Sequence, residues 1–319
     1  MVTGAAGLYG YHTVQELLNN DSVTSVIGVD SFSRNFLDKN HLKSLHDSKK
    51  KFSLLKTDYG KISSKKIDEL NVESIIHFAA FVSIDESMVN PQKYFKNNEQ
   101  GTFNFVQQLL KSKTQPALIY ASSAEVYGNP LKTPMDETHP LNPRSVYAVT
   151  KVACEKHCMS LFEWYSYPVN VIRNFNTFGE HQNTWSYAAA IPSFIEKALQ
   201  GKNLPVTGDG EQTRDFLYVK DAAKAYTKLL LKKNKIKGEI FNIGTGKQLK
   251  IKDLAQKIIS LTNSSSKISF IEQRKGDLRA LEADISKISS KLEWKPVFSL
   301  EQGLEKTIDW YRKHVKVKK

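Results

Sequence analysis

The 319-residue chain is poor in cysteine, methionine and tryptophan, with two, four and four of them. Cys154 and Cys158 lie one helical turn apart, which places them on one face of a helix rather than in a disulfide frame. His157 stands between them, but nothing near it completes a four-ligand set. The pair is therefore expected to be packed thiols in a reducing compartment, with no metal. No apolar run is long enough to span a bilayer. No charged-then-apolar leader is visible before the first glycine loop, so the expected home is the cytoplasm, away from membranes. Acidic residues are outnumbered 33 to 46, giving a net charge of +13. The lysines are dispersed and thicken only at Lys49–Lys51, Lys232–Lys233 and the Val315–Lys319 tail. Without a basic run interleaved with aromatics there is no nucleic-acid platform, and the charge suits a small anionic substrate. Internal repeats and low-complexity segments are also missing. What remains, 40% hydrophobic and 25% charged, is ordinary for a globular chain of one large domain or two sharing a cleft.

Short β-branched runs alternate with amphipathic stretches, which predicts an α/β fold. The expected architecture is a Rossmann-like doubly wound parallel sheet with a smaller C-terminal domain, expected to bind substrate, closing over its carboxyl edge. Strands are expected at Ser25–Asp30, Phe52–Thr57, Ser74–Phe78, Ala117–Ser122 and Val169–Arg173. Helices are expected at Tyr11–Leu18, Tyr94–Lys111, Val146–Trp164, Ile191–Leu199, Lys220–Leu231, Ile251–Leu261 and Leu300–Lys313. The boundary is expected near residue 174, with 1–174 forming the dinucleotide domain, 214–246 returning to it, and 175–319 mainly binding substrate. Only Met1 and Val2 precede Thr3, so the strand leading into the glycine loop is expected to be a stub with unpaired neighbours, or the natural start lies upstream.

Three motifs follow one another. Gly4, Gly7 and Gly10 allow a tight turn, close approach of a pyrophosphate and close helix packing, and the helix start at Leu8, Tyr9 and Gly10 aims its amides at the phosphates. Asp30 ends the next strand where a carboxylate binds ribose hydroxyls, which favours NAD over its 2′-phosphorylated form, although Arg34 stands close by. Asp58 is a candidate for the adenine side, and Ala79 and Ala80 are small enough to admit cofactor. The second motif, Ser122-Ser123-Ala124-Glu125, offers hydroxyls and a carboxylate. The third is Tyr147-x-x-x-Lys151, two residues on one helix face, where an ammonium near a phenol is expected to lower the phenol's pKa and permit proton exchange with a sugar hydroxyl.

Together with Glu86-Ser87, Asn98-x-x-Gly101-Thr102, Arg173–Gly179, Gly208–Phe216 and Arg274–Asp277, these motifs resemble the extended short-chain dehydrogenase/reductase family, specifically its nucleotide-sugar epimerases and dehydratases. Lys275 replaces the proline usual in the last motif. The resemblance covers essentially the whole chain. It implies a tightly held NAD, a nucleotide-diphosphate sugar as substrate and a homodimer built on a helix bundle. It further implies Tyr147 as acid/base, Lys151 as its electrostatic partner and ribose ligand, Ser123 on the reacting sugar oxygen, and Asn98 among the cofactor residues. Asn176, Arg214 and Arg274 match positions that hold the diphosphate. Each has a plainer reading: Ser123 as a strand cap, Arg214 as a partner for Asp215, Asn176 as a turn residue.

The motifs divide on the reaction. Glu125 survives where dehydratases carry the second of an acidic pair, and UDP-glucuronate decarboxylases carry a similar glutamate. Ala124 replaces the first carboxylate of that pair. Ser83–Ser87, Ser186–Pro192 and Arg214-Asp215-Phe216 resemble epimerases. A 4-epimerase is favoured over a 4,6-dehydratase or decarboxylase, and over a non-catalytic dinucleotide-binding scaffold or an RNA-binding protein. Leu281 falls where epimerases restricted to plain hexoses often carry tyrosine, and it is expected to leave room for an N-acetyl group.

Overall fold

A computed structural model describes residues 1–33, 45, 51–182, 189–273 and 276–314. Its centre is a seven-stranded parallel sheet in the order β11-β6-β5-β4-β1-β2-β3. The strands are β1 (Val2–Thr3), β2 (Ser25–Asp30), β3 (Lys51–Lys56), β4 (Ser74–His77), β5 (Ala117–Ser123), β6 (Val169–Asn174) and β11 (Glu239–Ile243). All of β5 and β6 is buried, which explains their unbroken apolar character, since a parallel sheet is covered on both faces.

As expected, β1 is a two-residue stub; it sits in the middle of this sheet and pairs on both sides. Val2 is in register with Gly28 on one side and Ile76 on the other. The Met1 carbonyl accepts from Ile76 N–H at 3.0 Å, and the Met1 nitrogen donates to the Ser74 carbonyl at 2.7 Å.

Helices cover both faces. On one side, α1 (Leu8–Leu18) and α6 (Val219–Leu231) pack on the sheet through Val14, Leu17, Ala222 and Leu229. On the other side, α3 (Gly101–Lys111) and α4 (Val146–Tyr165) contribute Phe105, Leu109, Cys154, Cys158 and Leu161. The short α2 (Ile84–Val89) precedes them. Both cysteines are buried free thiols. A separate apolar cluster joins α5 (Ala190–Leu199), α7 (Ile251–Thr262) and α8 (Leu300–His314). Small two-stranded pairings lie beside it: β7 (Asn176–Phe178) with β10 (Phe216–Tyr218), β8 (Leu204–Thr207) with β13 (Ile268–Ile271), and β9 (Thr213–Arg214) with β12 (Leu249–Lys250). No helix among the described residues is long and apolar enough to cross a membrane.

The helix expected over Tyr94–Lys111 is interrupted. A helical turn at Pro91–Tyr94 widens into a π-helical stretch, Phe95–Gln100, before α3 begins. Such widenings reorient a side chain at the cost of poorer backbone bonding. Here the reoriented residue is Asn98, which is buried and turned toward the loop after β4.

Ile75 is fully buried on β4 within the α3–α4 core. Ile75→Ala should lower unfolding free energy by about 2–5 kcal/mol, read from the urea midpoint at unchanged slope.

Candidate active site

The strands β1, β2, β4, β5 and β6 all end at one edge of the sheet, and that edge opens into a single cavity of about 620 Å³. This is where open parallel sheets bind ligands.

The glycine loop forms one wall. Gly4 adopts φ +70, and a Cβ there would lie 2.9 Å from the Ala79 nitrogen. A Cβ on Gly10 would stand 2.0 Å from the Gly4 carbonyl oxygen, so helix and loop approach closely only with glycine at this position. Gly7 caps α1 without a side-chain bond, and no acidic residue occupies the first turn. The amides at the start of α1 have no partner within the helix, so its positive end is open to an anion. Asp30 is held beside this loop: Oδ2 accepts from Ala6 N–H at 3.0 Å and Oδ1 from Phe32 N–H at 2.8 Å. Burial pushes its pKa upward against those two donors. Asp58 caps the turn Tyr59–Lys61 by accepting from Gly60 N–H at 2.9 Å, and it also borders the cavity. Ala79 and Ala80 complete this wall. A phosphate-sized approach, an open helix end and a fixed carboxylate fit a dinucleotide.

Asn98 stands behind this wall. It is not among the residues lining the cavity. Its Oδ1 accepts from Phe81 N–H at 2.8 Å and its Nδ2 donates to the Phe81 carbonyl at 2.9 Å. It clamps the loop that follows Ala79 and Ala80. Arg34, Arg274 and Ser186–Ala188 lie outside the described residues.

The reactive trio converges from β5 and α4. Ser145 caps α4 by accepting from Ala148 N–H at 3.1 Å, and Ser87 accepts the Tyr147 N–H at 3.1 Å. Ser87 was matched in the sequence only as part of a motif, and its role as the pin for Tyr147 required the fold. The Ser123 hydroxyl accepts from Glu125 N–H at 3.2 Å, and its nearness to the Tyr147 phenol works to lower that pKa against burial. Glu125 borders the same cavity, and its charge raises the Tyr147 pKa.

The expected lowering of Tyr147 by Lys151 is overturned. Burial is the dominant influence and pushes the phenol well above its ordinary value. The Lys151 ammonium donates instead to the Ala121 carbonyl at 2.7 Å and stands 5.9 Å from the Tyr147 ring centroid. Burial lowers Lys151 itself to about 8. Four-residue spacing puts both groups on one face, but it does not put the charge on the phenol oxygen.

The opposite wall carries the candidate substrate residues. Asn176 lines the cavity with a buried Oδ1 that has no hydrogen-bond partner among the described residues, an acceptor suited to a ligand donor. The Arg214 guanidinium lines it too, fixed by the Thr213 and Leu278 carbonyls, each at 2.8 Å, and by Asp277 Oδ1 at 2.5 Å. Its carboxylate partner is thus Asp277, not Asp215. Asp215 is wholly buried and accepts from Thr245 N–H at 2.7 Å, Gly246 N–H at 2.9 Å and Ala283 N–H at 3.2 Å. Leu281 is buried and faces the cavity.

Known proteins agree with this geometry. The family model described as GDP-mannose 4,6 dehydratase matches residues 1–307. This chain belongs to the extended short-chain dehydrogenase/reductases, among the nucleotide-sugar epimerases and dehydratases. It is 32% identical to the UDP-N-acetyl-alpha-D-glucosaminuronate decarboxylase of Bacillus cytotoxicus, covering 98% of this chain and 97% of that one. It is 31% identical to human dTDP-D-glucose 4,6-dehydratase, covering 98% and 90%. The structure of UDP-glucuronic acid 4-epimerase from Bacillus cereus, in complex with UDP-glucuronic acid and NAD, superposes with a TM-score of 0.89 at 29% identity, covering 98% of each chain. The relatives of this family member thus include an isomerase and two lyases on one fold.

Gly10→Ala forces a methyl group into the Gly4 carbonyl. Dinucleotide affinity should fall at least about tenfold in a fluorescence titration, and an unchanged affinity would mean that the loop does not hold the phosphates.

Proposed function

We propose that this chain is an NAD-dependent nucleotide-sugar 4-epimerase acting by transient oxidation at the sugar C4. The observation that carries the reading is the convergence of Ser123, Tyr147 and Lys151 with the glycine loop and Asn176 in one cavity. Bound NAD would supply the hydride acceptor and donor. Gly4, Gly7, Gly10 and the Leu8–Gly10 amides would hold its pyrophosphate, and Asp30 its ribose hydroxyls, with Asp58, Ala79 and Ala80 along the remaining edge. Asn176, Arg214 and Arg274 would hold the substrate diphosphate, with the arginines presenting forked donors.

Tyr147 exchanges the proton of the C4 hydroxyl, and Ser123 bonds the same oxygen. Burial keeps the resting phenol protonated, the form that returns a proton to a 4-keto oxygen. Taking the proton from the sugar requires positive charge near the phenol, and the Lys151 ammonium contributes to it. A pKa of about 8 means that this ammonium is progressively lost above that pH. The kcat/KM profile should therefore fall as pH rises through about 8, and a flat profile from pH 7 to 9.5 would remove Lys151 from the charge balance.

A second reading, as a 4,6-dehydratase or decarboxylase, rests on Glu125, which borders the cavity close enough to Tyr147 to raise its pKa. Incubation with a panel of nucleotide sugars separates these reactions by product mass and NMR. Epimerisation conserves mass, dehydration loses water and decarboxylation loses carbon dioxide. Glu125→Gln should leave an epimerase within about threefold of the parent rate, whereas an eliminating enzyme should lose at least about a hundredfold.

Leu281 sets the room beside the sugar, so both UDP-glucose and UDP-N-acetylglucosamine should be turned over. Leu281→Tyr should depress kcat/KM for the acetylated sugar at least about tenfold more than for the plain one. The cell compartment is taken to be the cytoplasm. The partner is taken to be a second copy, docked through the exposed Phe95, Phe103, Val149 and Trp164 along the α3–α4 side.

A further inference from the structure

The strand β5 runs straight into a single helical turn, Ala124–Tyr127, with Ser123 at its cap. Glu125 on this turn borders the cavity, whereas Tyr127 is fully buried behind it. The Tyr127 ring belongs to an apolar cluster with Ala124, Phe175, Leu278 and Leu281, and those four do border the cavity. Gly128 ends the turn at φ +64, where a Cβ would stand 1.9 Å from the Asn142 carbonyl oxygen. Asn142 N–H in turn donates to the Val126 carbonyl at 3.0 Å. The exit of the turn is fixed by this close approach, and its inner side by the Tyr127 hydroxyl.

That hydroxyl is used twice. It accepts from Arg173 Nη1 at 3.0 Å and donates to Asn242 Oδ1 at 2.6 Å. On the first side, Arg173 grips Glu155, which lies on the same helix as Tyr147 and Lys151. On the second side, Asn242 Nδ2 donates to the Met135 carbonyl at 2.9 Å. The same carbonyl accepts from Asp284 N–H at 2.8 Å, and Met135 N–H donates to the Glu282 carbonyl at 2.8 Å. One hydroxyl thus completes a continuous chain from α4 to the segment that carries Leu281. A phenylalanine would fill the same apolar space, and a buried hydroxyl costs free energy unless its bonds are made. Burial pushes Tyr127 up to about 12, so the hydroxyl keeps its proton, and its donor bond to Asn242, throughout the working range.

We propose that Tyr127 is a positioning residue for the sugar: its hydroxyl, held between Arg173 and Asn242, fixes the wall bearing Leu278 and Leu281 relative to Ser123 and Tyr147. This rests on the nucleotide-sugar reading of the cavity and deepens it. A hexose between these walls reacts only within a narrow range of positions, and a displacement of about 1 Å costs about a hundredfold in rate. On the same reading the diphosphate is held by Asn176 and Arg214 and the dinucleotide by the glycine loop. Loosening the Tyr127 bridge therefore slows the reaction without releasing either ligand.

The experiment measures kcat and KM for UDP-glucose and UDP-N-acetylglucosamine in the parent protein, Tyr127→Phe, Asn242→Ala and the double variant, below every thermal midpoint. UDP and NAD are titrated calorimetrically into the same four proteins. Tyr127→Phe should lose about tenfold in kcat while holding UDP and NAD affinity within about twofold, and Asn242→Ala should do the same. Because both substitutions cut one chain, the double variant should fall no more than about twofold below the slower single variant. Parent-like kcat in Tyr127→Phe would overturn the proposal, as would losses that multiply in the double variant. A parallel loss of kcat and of both affinities would make Tyr127 a prop for the fold at large and overturn it too. A parent protein that turns over neither sugar would end the epimerase reading and this inference with it, whereas an active parent matched by Tyr127→Phe ends this inference alone.

Discussion

Everything in the site depends on the docking of one face of α4 against the end of β5. Three residues one turn apart on the helix meet three consecutive residues of the strand. Tyr147 meets the Ser123 hydroxyl, Lys151 donates to the Ala121 carbonyl, and Glu155 accepts from the Ser122 hydroxyl. The last contact is anchored by Arg173 on β6, which grips Glu155 at 3.0, 3.2 and 2.8 Å and also donates to the Tyr127 hydroxyl at 3.0 Å. An ion pair this deeply buried adds little net stability, because desolvation offsets the attraction, but breaking it is expensive. Its contribution is to fix the spacing between helix and sheet, and with it the separation of phenol, ammonium and hydroxyl.

The same burial that organises the trio sets its electrostatics. Tyr147 is pushed up and Lys151 down, as water is withdrawn from each charged form. His77, beneath the glycine loop, is driven to about 3 by burial and by Lys151, so it remains neutral while bridging Thr3 and Thr102. Beside the neutral phenol and neutral imidazole, Lys151 supplies a titratable cation to the site.

The strands and long helices were legible because their apolar periodicity is local, and the predicted ends fall within a few residues of those observed. The glycine loop was legible for a steric reason, since only glycine permits the 2.0 Å Cβ position at Gly10. Asn98, Arg214 and Ser87 were not readable in the same way. Each lay in a recognisable motif, but its partner lies far along the chain: Phe81 across a π-helical turn, Asp277 in a distant loop, and the Tyr147 amide. The stub expected at β1 was legible from the two residues ahead of Thr3, whereas the Met1 backbone contacts with β4 were not.

By itself the sequence determined the order of elements, the parallel sheet and the residue types available at each strand end, since these follow from hydrophobic period, chain chirality and glycine sterics. Only the tertiary structure decided which of those residues face one another. It set Asn98 to clamp the backbone at Phe81, gave Arg214 to Asp277, and brought the Tyr9 ring alongside Phe78. It also reversed the expected shift of Tyr147, because a pKa is set by the water and charge surrounding a group in space, and spacing along a helix specifies neither.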